Sequence, residues 1–228
     1  MAGLYIHIPF CKQACHYCDF HFSTNLQLME MMMDSICVEL KLRKDYLKGE
    51  AVETIYFGGG TPSLVPAEYL EKILDQISQL FPGRKQEVTL EANPDDLNPQ
   101  ALATWKSLGI DRLSLGIQSF QDQILKAYNR AHNSKEATQA IQLARAAGFE
   151  KFSIDLIYGY PHSDHQLWQL DLEEALRLDP GHLSAYSLTI EPKTTFGNWT
   201  KKGKFSPAED EFVAQQYEWL QEQCDKAG

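Results

Sequence analysis

Three cysteines stand within eight residues, "CKQACHYC" at 11–18, in the order C-x3-C-x2-C: Cys11, Cys15 and Cys18. Thiolates are soft ligands, and three in one loop can hold three corners of a four-iron cubane, leaving the fourth iron open to a small molecule. Zinc is the competing chemistry. A structural zinc ion takes four ligands, and His7, His16 or His21 could supply the fourth. Zinc cysteines, however, come mostly as a C-x2-C pair matched by a second pair far downstream, and no second pair follows here. Unliganded thiols are a third reading, but packing explains three in one loop poorly. Cys37 and Cys224 fall on helical patterns and read as packing or surface thiols.

Other residues could act beside such a centre. "GGGTP" (58–62) strips side chains from a short turn, so backbone could approach a ligand closely. A phosphate loop would need a lysine after its last glycine, and none is there; a plain tight turn also fits. Glu91 ends one apolar run; it is either a solvated acid or the partner of a cation. Gln118 ends another, and Arg130 follows with a guanidinium that can grip a carboxylate through two hydrogen bonds. Asp155 sits inside "SIDLIY", where a buried carboxylate needs a partner, either a ligand or Arg130. His7 reads as a satisfied barrel histidine. His16 and His21 flank the cysteines and could hydrogen-bond sulfur. His132, His162, His165 and His182 read as loop or surface residues, and "MEMMM" as helix core or surface.

These residues need elements to hold them. Apolar runs of strand length occur at 4–8, 53–57, 87–92, 112–117, 152–158 and 182–188, and read as strands buried on both faces. Helical patterns alternate with them. One carries Leu26, Met29, Met33, Ile36 and Leu40 on one face, and another spans about 67–80. A third starts at Asn98-Pro99, and a short fourth follows Ser119. A fifth runs 134–147 with Ser134 as cap, stopping at Gly148. A sixth runs 164–178, and the last starts after Ser206 and Pro207. Alternation with crossovers this long predicts an α/β fold with a parallel sheet, a partial (β/α)6 TIM-like barrel. Chemistry then belongs at the C-terminal strand ends, which read "HIPFC", "FGGGTPS", "LEANPDD", "GIQSF", "DLIYGYP" and "LTIEP". No internal linker appears, so 1–228 reads as one domain.

A hydrophobic content of 43% supplies a full core. The formal net charge of -10 argues against a nucleic-acid binder, which needs a basic face. No run of 18 apolar residues predicts a membrane span. With no secretory pattern at the start, the expected location is cytoplasmic, where thiols stay reduced.

C-x3-C-x2-C with Tyr17 before the last cysteine resembles the signature of radical S-adenosylmethionine (SAM) enzymes. The set "YIHIPFC", "YCDF", "FGGGTPS", "LEANP", "RLSLGIQSF", "FSIDLIYGYP" and "LSAYSLTIEP" is similar to the HemN/HemW group, oxygen-independent coproporphyrinogen III oxidases and their heme-chaperone relatives; it covers most of 3–196. The resemblance implies a radical SAM core domain with a [4Fe–4S] cluster on Cys11, Cys15 and Cys18, and SAM on the open iron. In that family one electron from the reduced cluster cleaves SAM to a 5′-deoxyadenosyl radical. It further implies SAM contacts from Tyr5, Gly59, Gly60, Thr61 and Glu91, and from Tyr17, Gln118, Arg130, Asp155 and Thr189, the latter five matching a second-SAM site in the oxidase. Heme or a porphyrinogen, an electron donor and a heme acceptor protein are the implied partners. A further C-terminal region, where a heme-contacting motif is expected, is implied beyond this chain.

The sequence departs from the oxidase. Where the oxidase carries a further cysteine, C-x2-C-x-C, this chain has Phe20, and only three residues precede Leu4. "CDF" is the pattern of the heme chaperones. The expectation is therefore heme binding and transfer, with decarboxylation of coproporphyrinogen III as the alternative.

Overall fold

The computed structural model describes residues 2–83 and 85–228. Six strands, β1 (Ala2–Ile8), β2 (Val52–Gly59), β3 (Glu87–Ala92), β4 (Arg112–Gln118), β5 (Lys151–Tyr158) and β6 (Gly181–Ser187), form one sheet in sequential order. Every neighbouring pair is parallel. β1 and β6 sit at the two edges, so the barrel is open. The crossovers are α1 (Met29–Leu42), α2 (Ala67–Leu80), α3 (Pro99–Ser107), α4 (Asp122–Ala127) with α5 (Ser134–Ala146), and α6 (Gln166–Leu178). Two helices follow β6, α7 (Thr195–Lys201) and α8 (Asp210–Ala227).

The strands differ from the expected doubly apolar runs. Leu4, Ile6 and Ile8, then Ile55 and Phe57, Val88 and Leu90, Leu113 and Leu115, Ile154 and Leu156 alternate with polar or small residues. The bulky set packs against helices in one large core. The alternate set (Tyr5, Tyr56, Thr89, Glu91, Ser114, Ser153, Asp155, Ser184) takes the other face of the sheet by the two-residue period. Ordinary barrels fill that space with Val, Ile and Leu. Here Ser153 donates to Ser114 at 3.0 Å, and Arg112 reaches Ser153 at 3.2 Å and Thr89 at 3.3 Å. A hydrogen-bonded polar interior thus lies beneath the strand ends.

Helix starts also shift for local reasons. Asn133, not Ser134, caps α5: its side chain accepts from Glu136 N, and the Glu136 carboxylate accepts from Asn133 N. α6 begins at Gln166 rather than 164, because Asp164 is spent on a turn that accepts Gln166 N. α8 starts at Asp210, several residues past Ser206. α7 was not predicted; Thr194 caps it by accepting from Gly197 N at 3.0 Å.

Candidate functional site

A cavity of about 570 Å³ opens at the C-terminal ends of the strands, the size of a small-molecule site. Cys11, Cys15, Tyr17, Cys18, Gly59, Gly60, Thr61, Glu91, Gln118, Arg130, Asp155 and Thr189 all line it. Tyr5 does not: its ring stacks on Tyr56 at 5.8 Å behind Glu91. Phe20, 74% exposed, stands at the lip.

The cysteine loop leaves β1 and is clamped from four sides. Cys11 N donates to Ser23 O, closing the loop on itself. Lys12 pairs with Asp95 at 2.6 Å and with Asp96, tying the loop to the turn after β3. The segment after α4 holds the middle. His16 N donates to Tyr128 O at 3.0 Å, Gln13 donates to Asn129 O, and the Asn129 amide donates to Ala14 O. From the far side, Phe196 N of α7 donates to His16 O at 2.9 Å. Burial pushes the Cys11 and Cys18 thiols up.

The histidines do not complete a zinc site. His16 Nδ1 faces Ala127 O at 2.8 Å, and its ring packs on Trp199 and Phe196. That also removes it as a sulfur donor. His7 Nε2 faces His21 O. Among the described residues, no three of His, Cys, Asp and Glu group closely enough for a single metal ion. A cubane spreads its ligands over separate irons and does not need such closure. His132 departs from its surface reading. It is buried and donates from Nε2 to Ile117 O; burial, then the Arg130 charge, holds its pKa down to about 4.

The glycine turn is a cradle. A Cβ on Gly60 would lie 2.6 Å from Phe10 O and 2.9 Å from Ile8 O, both backbone atoms. Gly59 has φ +114, a positive value at which side chains strain, and its N–H donates to Glu91 at 3.0 Å. Tyr56 donates to the other Glu91 oxygen at 2.8 Å. Burial raises the Glu91 pKa, against the pull of those two donors.

Arg130 is not the partner of Asp155. Its Nη2 donates to Asn93 at 2.6 Å and to Gly116 O at 2.7 Å, while Nη1 lies 3.5 Å from Cys15 Sγ and 3.4 Å from the Tyr17 hydroxyl. Its Nε is buried and has no hydrogen-bond partner among the described residues. Asp155 instead takes a hydrogen bond from Ser184 on β6. Burial raises its pKa to about 6, and the nearby Glu91 charge adds to that. Two carboxylates in one cavity, both raised, create a demand for positive charge.

Gln118 reaches the cavity through a strained turn, φ +67 at an irregular end of β4. Asp171 of α6 holds that turn from behind. It is 1% exposed and accepts from Ser119 Oγ at 2.6 Å and Phe120 N at 2.7 Å. Sequence reasoning missed Asp171, Asn93, Asn129 and Ser184. Only Asn93, two residues past Glu91 at a strand end, carried a local signal.

The sequence model of the Radical SAM superfamily matches residues 5–172, and the chain belongs to that superfamily, which implies a [4Fe–4S] cluster and SAM. Within it, the chain is 36% identical to the heme chaperone HemW of Bacillus subtilis across its whole length, and spans 61% of that protein. It is 38% identical to HemW of Escherichia coli over 86% of the chain, spanning 53% of that relative. In fold it superposes on coproporphyrinogen III oxidase (HemN) from E. coli with a TM-score of 0.86 at 23% identity, covering 99% of this chain and 52% of that one. The chain thus spans a little over half the length of these proteins. No helix among the described residues is long and apolar enough to cross a membrane.

Proposed function

We propose that Cys11, Cys15 and Cys18 hold the [4Fe–4S] cluster, and that the full-length protein binds heme and delivers it to acceptor proteins. The observation that carries the site reading is convergence. Three clamped thiols, a glycine cradle without room for a Cβ, and two buried carboxylates line one cavity. When bound, the cluster supplies an electron and an open coordination position for SAM. The chain's own residues do the rest. Gly59, Gly60 and Thr61 give backbone access to the amino-acid end of SAM. Glu91 and Asp155 offer negative charge to its amino and sulfonium groups. Arg130, Tyr17, Gln118 and Thr189 line the same cavity. Tyr5 acts through Tyr56, behind Glu91.

Heme handling rests on the 36–38% identity to heme chaperones and on Phe20, which stands where the oxidase carries a further cysteine. The test uses full-length protein reconstituted anaerobically with iron and sulfide, then given reductant, SAM and coproporphyrinogen III. Mass spectrometry should show the porphyrinogen intact while heme titrates onto the protein. Loss of two CO2 would instead make the protein a decarboxylase.

A further inference from the structure

The cysteine sulfurs are not bare, because each faces a hydrogen-bond donor of the chain. The Thr61 side chain donates to Cys11, and the Phe20 N–H donates to Cys18. Arg130 Nη1 points at Cys15 Sγ from 3.5 Å and is shared with the Tyr17 hydroxyl at 3.4 Å. Thr61 follows β2 and Arg130 follows α4, so the two side-chain donors come from distant parts of the chain. Asn93, just after β3, joins them. Its Nδ2 donates to Thr61 Oγ1 at 3.2 Å, and its Oδ1 accepts from Arg130 Nη2 at 2.6 Å.

The direction of this relay is set by its charged end. A guanidinium only donates, so the Asn93 oxygen must face Arg130 and its NH2 group must face Thr61. Thr61 Oγ1 therefore accepts, and its own proton is left for another acceptor. Thr61 is 4% exposed, and a buried hydroxyl keeps a partner; Cys11 is that partner. Backbone anchors both ends. Thr61 N donates to Phe10 O at 2.7 Å, and Arg130 Nη2 also donates to Gly116 O at 2.7 Å. Gly116 keeps the joint open, since a Cβ there would lie 3.3 Å from both Arg130 Nη2 and Asn93 Oδ1.

We infer that the Thr61 and Arg130 side chains set the reduction potential of the cluster through the sulfurs of Cys11 and Cys15, and that Asn93 is the positioning residue that aims both donors. The inference rests on the cluster reading of the cavity, and it gives these side chains a task that does not need SAM. Hydrogen bonds to the sulfurs are one of the levers that set an iron–sulfur potential. Reduction by one electron makes the thiolate sulfurs stronger acceptors, so each donor stabilises the reduced form and raises the potential. The charge of Arg130 acts in the same direction. A purely structural role for Asn93 would move folding stability and leave the potential where it is.

The test is a redox titration of the full-length reconstituted protein, followed by electron paramagnetic resonance without SAM, so that ligand binding contributes nothing. Thr61→Val keeps the shape and removes the hydroxyl; Thr61→Ser keeps the hydroxyl. At a fixed ambient potential Thr61→Val should lower the ratio of reduced to oxidised cluster about tenfold, a fall in midpoint of about 59 mV for one electron. Thr61→Ser should return the midpoint close to that of the unmodified protein. Asn93→Ala should lower it at least as far as Thr61→Val, and the Asn93→Ala/Thr61→Val protein should fall by less than the sum of the two. An unchanged midpoint in Thr61→Val, or a fall that Thr61→Ser shares, would overturn the donor role and leave the cluster reading standing. Additive falls would overturn the part given to Asn93. If Thr61→Val takes up no cluster, resonance Raman spectra of the unmodified and Thr61→Ser proteins in H2O and D2O decide. Exchange of the donors' protons should shift the Fe–S(Cys) stretching bands in both, and bands that do not move would overturn the inference. Failure of the unmodified protein to take up any cluster would overturn the cavity reading and this inference together.

Discussion

Asp155→Asn should stabilise the ligand-free protein, although it removes a residue of the site. Moving a carboxyl from its ordinary 3.8 to about 6 corresponds to about 3 kcal/mol of disfavoured ionisation once the group is charged. The direction follows from proton binding. With its folded pKa raised, the native state binds the Asp155 proton more tightly than the unfolded chain does. Its contribution is most favourable below about pH 4, is lost as pH rises towards about 6, and stays lost above. Asparagine keeps the shape and can still accept from Ser184, but has no charge to bury. Urea unfolding of the apo chain should therefore show the variant more stable by about 1–3 kcal/mol near pH 7.5, with about half that gain left near pH 5. SAM binding by the same variant should weaken, because the cost of the buried charge is what a cationic ligand offsets. A variant equally or less stable at both pH values would refute the reasoning: Asp155 would then already be compensated inside the chain.

Three further outcomes follow from the geometry. Gly60→Ala forces a Cβ onto the carbonyls of Phe10 and Ile8, so thermal or urea unfolding should show a loss of about 2–3 kcal/mol, with cluster yield reduced. Asp171→Ala leaves Phe120 N–H and the Ser119 hydroxyl without their buried acceptor and should cost about 2–4 kcal/mol. Because that turn presents Gln118, calorimetry should also show weaker SAM binding. Glu91→Gln keeps the size but loses the charge facing Gly59 N and Tyr56; it should weaken SAM binding about tenfold, as loss of a charge-assisted hydrogen bond does, while leaving cluster absorbance near its original level.

Much of this was legible from residue order. Strand–helix alternation located all six strands, the bounds of α2 followed from helical period, and the start of α3 followed from Asn98-Pro99. The cavity-lining residues were visible because they sit at strand ends, where a barrel gathers its chemistry. What escaped depends on tertiary contact. The polar interior was masked because the outward residues are bulky enough to make each strand look apolar throughout. The partners of Arg130 and Asp155 come from Asn93 and Ser184, which no spacing rule connects to them. α7 gives no helical signal in the sequence because Gly197 and β-branched threonines depress helix propensity. Its glycine is there for space: a Cβ would strike Glu191 O. His132 was misread because polar sequence around it hides that its ring turns inward to Ile117 O.

The most direct test of the central claim is low-temperature electron paramagnetic resonance on the anaerobically reconstituted, reduced protein, with and without SAM. The account predicts a [4Fe–4S] signal that changes shape when SAM is added, and that disappears in the Cys11→Ala/Cys15→Ala/Cys18→Ala protein. A signal indifferent to SAM, or one that survives loss of the three cysteines, would contradict it.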